Sequence, residues 1–261
     1  MKKTLAAVAV LGAFAGSALA ADVQLYGIVD TGLRYLHSDM EYGVDKTYGT
    51  LYGVDATDKF EMASGMQSGS RFGFKGTEDL GNGLTVGFIL ESQFDADDGS
   101  LSDNDHFFRR EASIYLEGSF GKFAMGRMGS MNSGVSSWGK HGVLTAFGTS
   151  WNSYVANADT VFGNSGIWDN MIAYETPSFA GFKVFAQYGM GNRVSGYNLD
   201  DEEVSWGDEN ESTSDRYYAI GASYTNGALD LYLSVDSVNY SSRNADGKFG
   251  DTDDAWTVRL G

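Results

Sequence analysis

The chain of 261 residues has no cysteine, a single proline and only three histidines. Without cysteine there is no disulfide framework and no thiolate site for metal or redox chemistry. An exported chain of this size must then draw its stability from elsewhere, and a closed sheet can supply it. The histidines, His37, His106 and His141, are scattered and leave little for a zinc centre. Beyond the first twenty residues no apolar run approaches the roughly 20 residues of a transmembrane helix, so any membrane crossing must be made by strands. No H-E-x-x-H, G-x-S-x-G, Walker A or dinucleotide fingerprint is present, and the expectation is that the chain is not an enzyme and carries no cofactor. The run Asp95-Ala96-Asp97-Asp98-Gly99 has the wrong acid spacing for an EF-hand, and no metal site is expected. Positive charge is scarce: 18 Lys and Arg against 35 Asp and Glu give a net charge of −17, which argues against a nucleic-acid partner.

What is present is glycine and aromatic residue: 35 Gly, 15 Tyr and 16 Phe, with a slightly negative mean hydropathy of −0.26. That average suits a barrel with a lipid face and a wet lumen. Residues 1–20 read as a signal peptide, with Lys2 and Lys3 as its charged start, an apolar core over 5–14 and a small-x-small site at Ala18-Leu19-Ala20. Residues 21–261 then form one domain, exported to the cell envelope.

Period-2 alternation marks about ten strands: 23–36, 70–76, 84–94, 109–117, 122–128, 169–175, 182–188, 216–224, 229–238 and 255–260. In the first, Val23, Leu25, Val29, Leu33 and Tyr35 share one face, while Gln24, Tyr26, Asp30 and Arg34 share the other. The connections alternate in length. Residues 78–83, 118–121, 177–181 and the Asn226-Gly227 turn are short, and 37–68, 95–106, 129–166, 191–215 and 239–253 are long. Transmembrane barrels show this pattern, with short periplasmic turns and long external loops. Outward aromatics near strand ends, among them Tyr35, Phe94, Phe123, Phe182, Tyr188, Tyr218 and Tyr224, fit interfacial girdles. Most of the acids fall in the long loops, most densely over 200–211. They read as solvated loop charge or as carboxylates bridged by divalent cations to outer-leaflet phosphates. Two other readings stay open: a secreted β-sandwich binding module, and a small plugged barrel or adhesin.

Several stretches resemble the Gram-negative general trimeric porins. Val23-Gln24-Leu25-Tyr26-Gly27-Ile28-Val29-Asp30 is similar to the first strand of that family. Ser68-Gly69-Ser70-Arg71-Phe72-Gly73-Phe74-Lys75-Gly76-Thr77-Glu78-Asp79-Leu80 resembles the second strand and its turn. Gly121-Lys122-Phe123-Ala124-Met125-Gly126-Arg127 resembles the strand before the constriction loop, and Ile172-Ala173-Tyr174-Glu175-Thr176-Pro177-Ser178-Phe179-Ala180-Gly181-Phe182 a later hairpin. The resemblance implies an all-β, antiparallel, sixteen-stranded transmembrane barrel in the outer membrane, assembled as a homotrimer among lipopolysaccharide. It would pass small hydrophilic solutes and ions by passive diffusion. A long third loop, here 129–166 with Trp138, Phe147, Trp151 and Tyr154, would fold into the lumen. A basic ladder would line the wall: Arg71 and Arg127 match motif positions, Lys75 shares the face of Arg71, and Arg109 and Arg34 have lumenal parity. Asp30, Glu91, Gln93, Asp230 and Asp236 share that parity, and Asp159 is the single acid of the loop. With so few loop acids against the ladder and acidic vestibules outside, weak ion selectivity is expected. By this resemblance the chain, which stops within a strand and lacks a terminal aromatic residue, is expected to be a fragment short of its last third.

Overall fold

A computed structural model describes residues 23–38, 43–44, 51–52, 57–140, 166–191, 194–197, 203–206, 216–239 and 254–260. The expected signal peptide, Asp159 and most of the acidic segment 200–211 lie outside these residues. The elements run in order as β1 (Gln24–Ile28), β2 (Thr31–Ser38), β3 (Gly43–Val44), β4 (Leu51–Tyr52), β5 (Thr57–Ser64), β6 (Arg71–Gly81), β7 (Leu84–Gln93) and β8 (Glu111–Gly118). They continue as β9 (Gly121–Gly129), β10 (Ile167–Glu175), β11 (Phe182–Gly189), β12 (Val194–Tyr197), β13 (Glu203–Trp206), β14 (Arg216–Asn226), β15 (Leu229–Asn239) and β16 (Asp254–Leu260). No helix occurs among the described residues.

Ten strands form one antiparallel sheet in the order β1-β6-β7-β8-β9-β10-β11-β14-β15-β16. These are the ten segments that alternation marks. Apart from the β1-to-β6 step and the insertion of β12–β13, each strand pairs with its neighbour in sequence, as an up-and-down barrel wall requires. β2–β5, β3–β4 and β12–β13 form three further two-stranded pairs within the long connections. The first expected strand is broken near Val29 and Asp30: β1 pairs with β6, whereas β2 pairs with β5 over Thr31↔Ser64 to Ser38↔Thr57. Alternation misses this break because both halves keep the same parity.

The two faces of the sheet differ in kind. One exposes Leu25, Phe74, Ile114, Met125, Val184, Ile220, Leu231, Leu233 and Val235. The other buries Glu111, Ala124, Ala173, Phe185, Gln187, Tyr217, Tyr232, Ser234 and Asp236. A continuous apolar face of this extent is unstable in water and stable against lipid, where the paired ladder leaves few backbone groups unsatisfied. On β11 and β14 the outward face carries two aromatic pairs. Tyr188 and Tyr218 lie 5.3 Å apart at the long-loop end, and Phe182 and Tyr224 lie 4.4 Å apart at the short-turn end. Six residues of strand separate them, roughly 20 Å, close to the height of a barrel's apolar band. Only Val184, Ala186, Ile220 and Ala222 face outward between them.

Candidate functional site

The loop that follows β9 turns inward. Its described start, residues 130–140, lies on the buried face of the sheet and reaches strands far apart in the wall. The Met131 amide donates to the Tyr217 hydroxyl at 3.3 Å. Asn132 donates from Nδ2 to Asp236 at 2.5 Å and accepts from Ser234 Oγ at 2.9 Å. Ser137 donates from both its amide and its hydroxyl to Glu111, each at 2.7 Å. Lys140 pairs with Glu175 at 2.9 Å, near the short-turn end of β10. The loop therefore starts at the long-loop end and descends along the inner wall. Met131 and Trp138 join Met128, Met171, Phe185, Tyr217 and Tyr232 in the only extended apolar cluster among the described residues. Serine and asparagine suit such a segment, since a chain lying against a polar wall must pair its own backbone and side chains with that wall. Residues 141–165 of the loop lie outside the described residues.

Asp236 is buried and accepts from both Asn132 and Thr257. Asp236→Ala is expected to cost about 1–3 kcal/mol, because Asn132 keeps a buried donor without an acceptor. Thermal unfolding in detergent checks it, and an unchanged midpoint would contradict the anchoring role of Asp236.

The wall opposite Ser137 holds charges of both signs. Arg110 Nε donates to Glu91 at 2.5 Å and its Nη1 to Gln93 at 3.0 Å. Tyr26 donates its hydroxyl to Glu91 at 3.0 Å, and Arg71 Nε stands 3.9 Å from the same carboxylate while donating to Ser68. A recess of about 390 Å³ opens here, lined among others by Arg71, Lys75, Glu91, Arg110 and Glu111 and closed by loop residues Ser136 and Ser137. Arg71, Lys75, Glu91 and Gln93 are thus brought to one place on the inner wall. The other expected site residues are not. Arg34 faces Glu61 across the β2–β5 pair at 2.5 Å. Asp30 caps the link between β5 and β6, accepting the amides of Gln67 and Ser68 at 2.9 and 2.7 Å. Arg127 stands in register with Ala112, on the parity of Met125, and pairs with Asp169 at 2.5 Å while donating to the Arg109 carbonyl. Arg109 lies 3.8 Å from Asp103. Arg127, Asp169, Arg109, Asp103 and His106 form a rim cluster at the long-loop end, where His106 contacts Asp103 at 3.1 Å and Asp169 at 3.6 Å. Burial pushes the Asp103 carboxyl up, but the amides of Asp105 and His106 and the imidazole outweigh it and hold the group below its ordinary range.

Sequence reasoning passes over Arg110. Its parity is that of Ala112, Ile114 and Leu116, which face outward. It precedes β8, however, and its amide donates to the Glu91 carbonyl before regular pairing begins, so alternation does not govern its direction. A bare arginine on a lipid-facing parity, worth about 2–4 kcal/mol against insertion at mid-depth, was the available signal that it points elsewhere. Glu111, Lys140 and Glu175 escape notice because their meaning depends on where the loop lands.

The chain belongs to the Gram-negative porin family, whose model matches residues 6–261. It is 36% identical over 260 residues to an outer membrane porin protein of Bordetella pertussis, covering 95% of this chain and 62% of that one. It is 32% identical over 240 residues to outer membrane porin protein 32 of Delftia acidovorans, covering 90% of this chain and 59% of the relative. The chain thus spans about three fifths of the length of these relatives. Among solved structures it resembles an anion-selective porin from Comamonas acidovorans, at 22% identity and a TM-score of 0.52, over 92% of this chain and 72% of that one. The fold is accordingly the antiparallel porin β-barrel, and its place is the outer membrane of a Gram-negative cell.

Proposed function

We propose that the protein forms a water-filled channel that passes small hydrophilic solutes and ions across the outer membrane by passive diffusion, without covalent chemistry. The observation that carries this reading is the loop start lying on the inner wall, with charged residues of both signs beside it. A narrowed, charged and wet passage is what size exclusion and ion filtering need. By analogy with the family it works as a homotrimer in a lipopolysaccharide-containing leaflet. Neither alternative function is favoured: the relatives are outer membrane porins, and a sandwich would turn polar outer faces to water rather than expose an apolar one.

Two cations beside the passage are matched by wall acids, Arg110 by Glu91 and Lys140 of the loop by Glu175. Selectivity is therefore expected to be weak. The purified full-length protein in planar bilayers should show stepwise KCl conductance and a small reversal potential in a tenfold salt gradient. No conductance would refute the channel, and a reversal potential near the limit for one ion would refute the balance of charges.

A further inference from the structure

The register of four neighbouring strands lays out the inner wall in levels. At one level Gln24, Lys75 and Ile89 stand side by side across β1, β6 and β7. One step toward the long loops, Tyr26 lies across Gly73, where an added Cβ would come within 2.8 Å of the phenol ring. One step toward the short turns, Tyr115 lies across Gly87, where a Cβ would come within 2.4 Å of the ring. Both tyrosines are folded flat onto glycine, and they bound the Lys75 level from above and below. A second recess of about 240 Å³, lined by Gln24, Lys75, Thr77, Ile89 and Tyr115, meets the first at Lys75 and Ile89.

The charges around this space are unequal in their commitments. Glu91 is taken up by Arg110 and Tyr26, and Glu111 by Ser113 and Ser137. Lys75 has no carboxylate partner among the described residues; its ammonium stands 5.4 Å from the Tyr26 ring centre. Lys122 adds a second cation over the Tyr115 ring at 3.9 Å. A cation beside an aliphatic floor and between two aromatic rings fits a ligand with a carboxylate at one end and a flat apolar body at the other.

We propose that this stretch of wall is a subsite for aromatic monocarboxylates. The carboxylate sits on Lys75, and the ring rests on Ile89 between Tyr26 and Tyr115. The proposal deepens the channel reading by naming a favoured class of solute. Aromatic contact and charge act together, so benzoate is expected to bind about tenfold more tightly than acetate.

The test uses the full-length protein, with benzoate and acetate as probes. Binding is read by saturation-transfer NMR in detergent micelles, and conduction by KCl current in planar bilayers. Benzoate should bind more tightly than acetate and reduce the KCl current at lower concentration. Lys75→Gln should weaken benzoate and acetate alike, whereas Tyr115→Leu should remove most of the preference for benzoate. Equal binding of the two acids, or a benzoate preference that survives both substitutions, overturns the subsite while normal KCl current leaves the channel standing. Binding of both acids weakened by Lys75→Gln and the benzoate preference lost in Tyr115→Leu, but with no KCl current in any preparation, keeps the subsite and overturns the channel.

Discussion

Glu111→Ala is expected to free the start of the inward loop, widen the passage and raise single-channel conductance. Glu111 is 1% exposed, and its carboxylate accepts from the Ser113 hydroxyl and from the amide and hydroxyl of Ser137. Two of those three bonds cross from the wall to the loop. A buried donor left without its acceptor costs about 1–3 kcal/mol, so a loss of about 3 kcal/mol is expected. Glu111→Gln keeps the size and one acceptor oxygen and should lose less. Conductance in planar bilayers and thermal unfolding in detergent read the two effects separately. If Glu111→Ala conducts and melts like the parent, Glu111 does not hold the loop.

Arg110→Ala should be comparably costly by a different route. Arg110 and Glu91 are 7% and 9% exposed, and their pairing at 2.5 Å is reinforced by Gln93 and Tyr26. Removing one member of such a pair strands the other charge and costs about 3–5 kcal/mol, whereas replacing both by apolar residues of similar volume is often nearly neutral. The double variant Arg110→Met with Glu91→Leu should therefore be more stable than either Arg110→Met or Glu91→Leu alone. Arg110→Ala should also move the reversal potential toward cations, because it removes a positive charge from the wall. Additive stability changes in the double-variant cycle would mean that the pair is not coupled.

Strand number, parity and the membrane face were legible in the residues themselves. A strand of ten residues with one apolar face writes its alternation into the sequence, and the ten sheet strands among the described residues were readable from it. So was the inner-wall position of Arg71 and Lys75, since Phe72 and Phe74 occupy the opposite parity. Arg127 shows the limit of motif matching. Its likeness to a ladder position does not reveal that register sets it beside Ala112, nor that Asp169 neutralises it. Asp30 shows the limit of parity, because it stands where the strand breaks and spends its carboxylate on two amides.

What the sequence by itself determined about this protein is therefore local and periodic: export, about ten strands, alternating connections and an outward apolar face. Only the tertiary structure decided which inner residues meet. The pairing of Arg110 with Glu91 joins residues on either side of a loop, and Asn132 meets Asp236 across 104 positions of chain. The level of Lys75 between Tyr26 and Tyr115 depends on the register of β1, β6, β7 and β8 together. Such meetings follow from register and from the path of one loop, and neither leaves a periodic trace in the residues that take part.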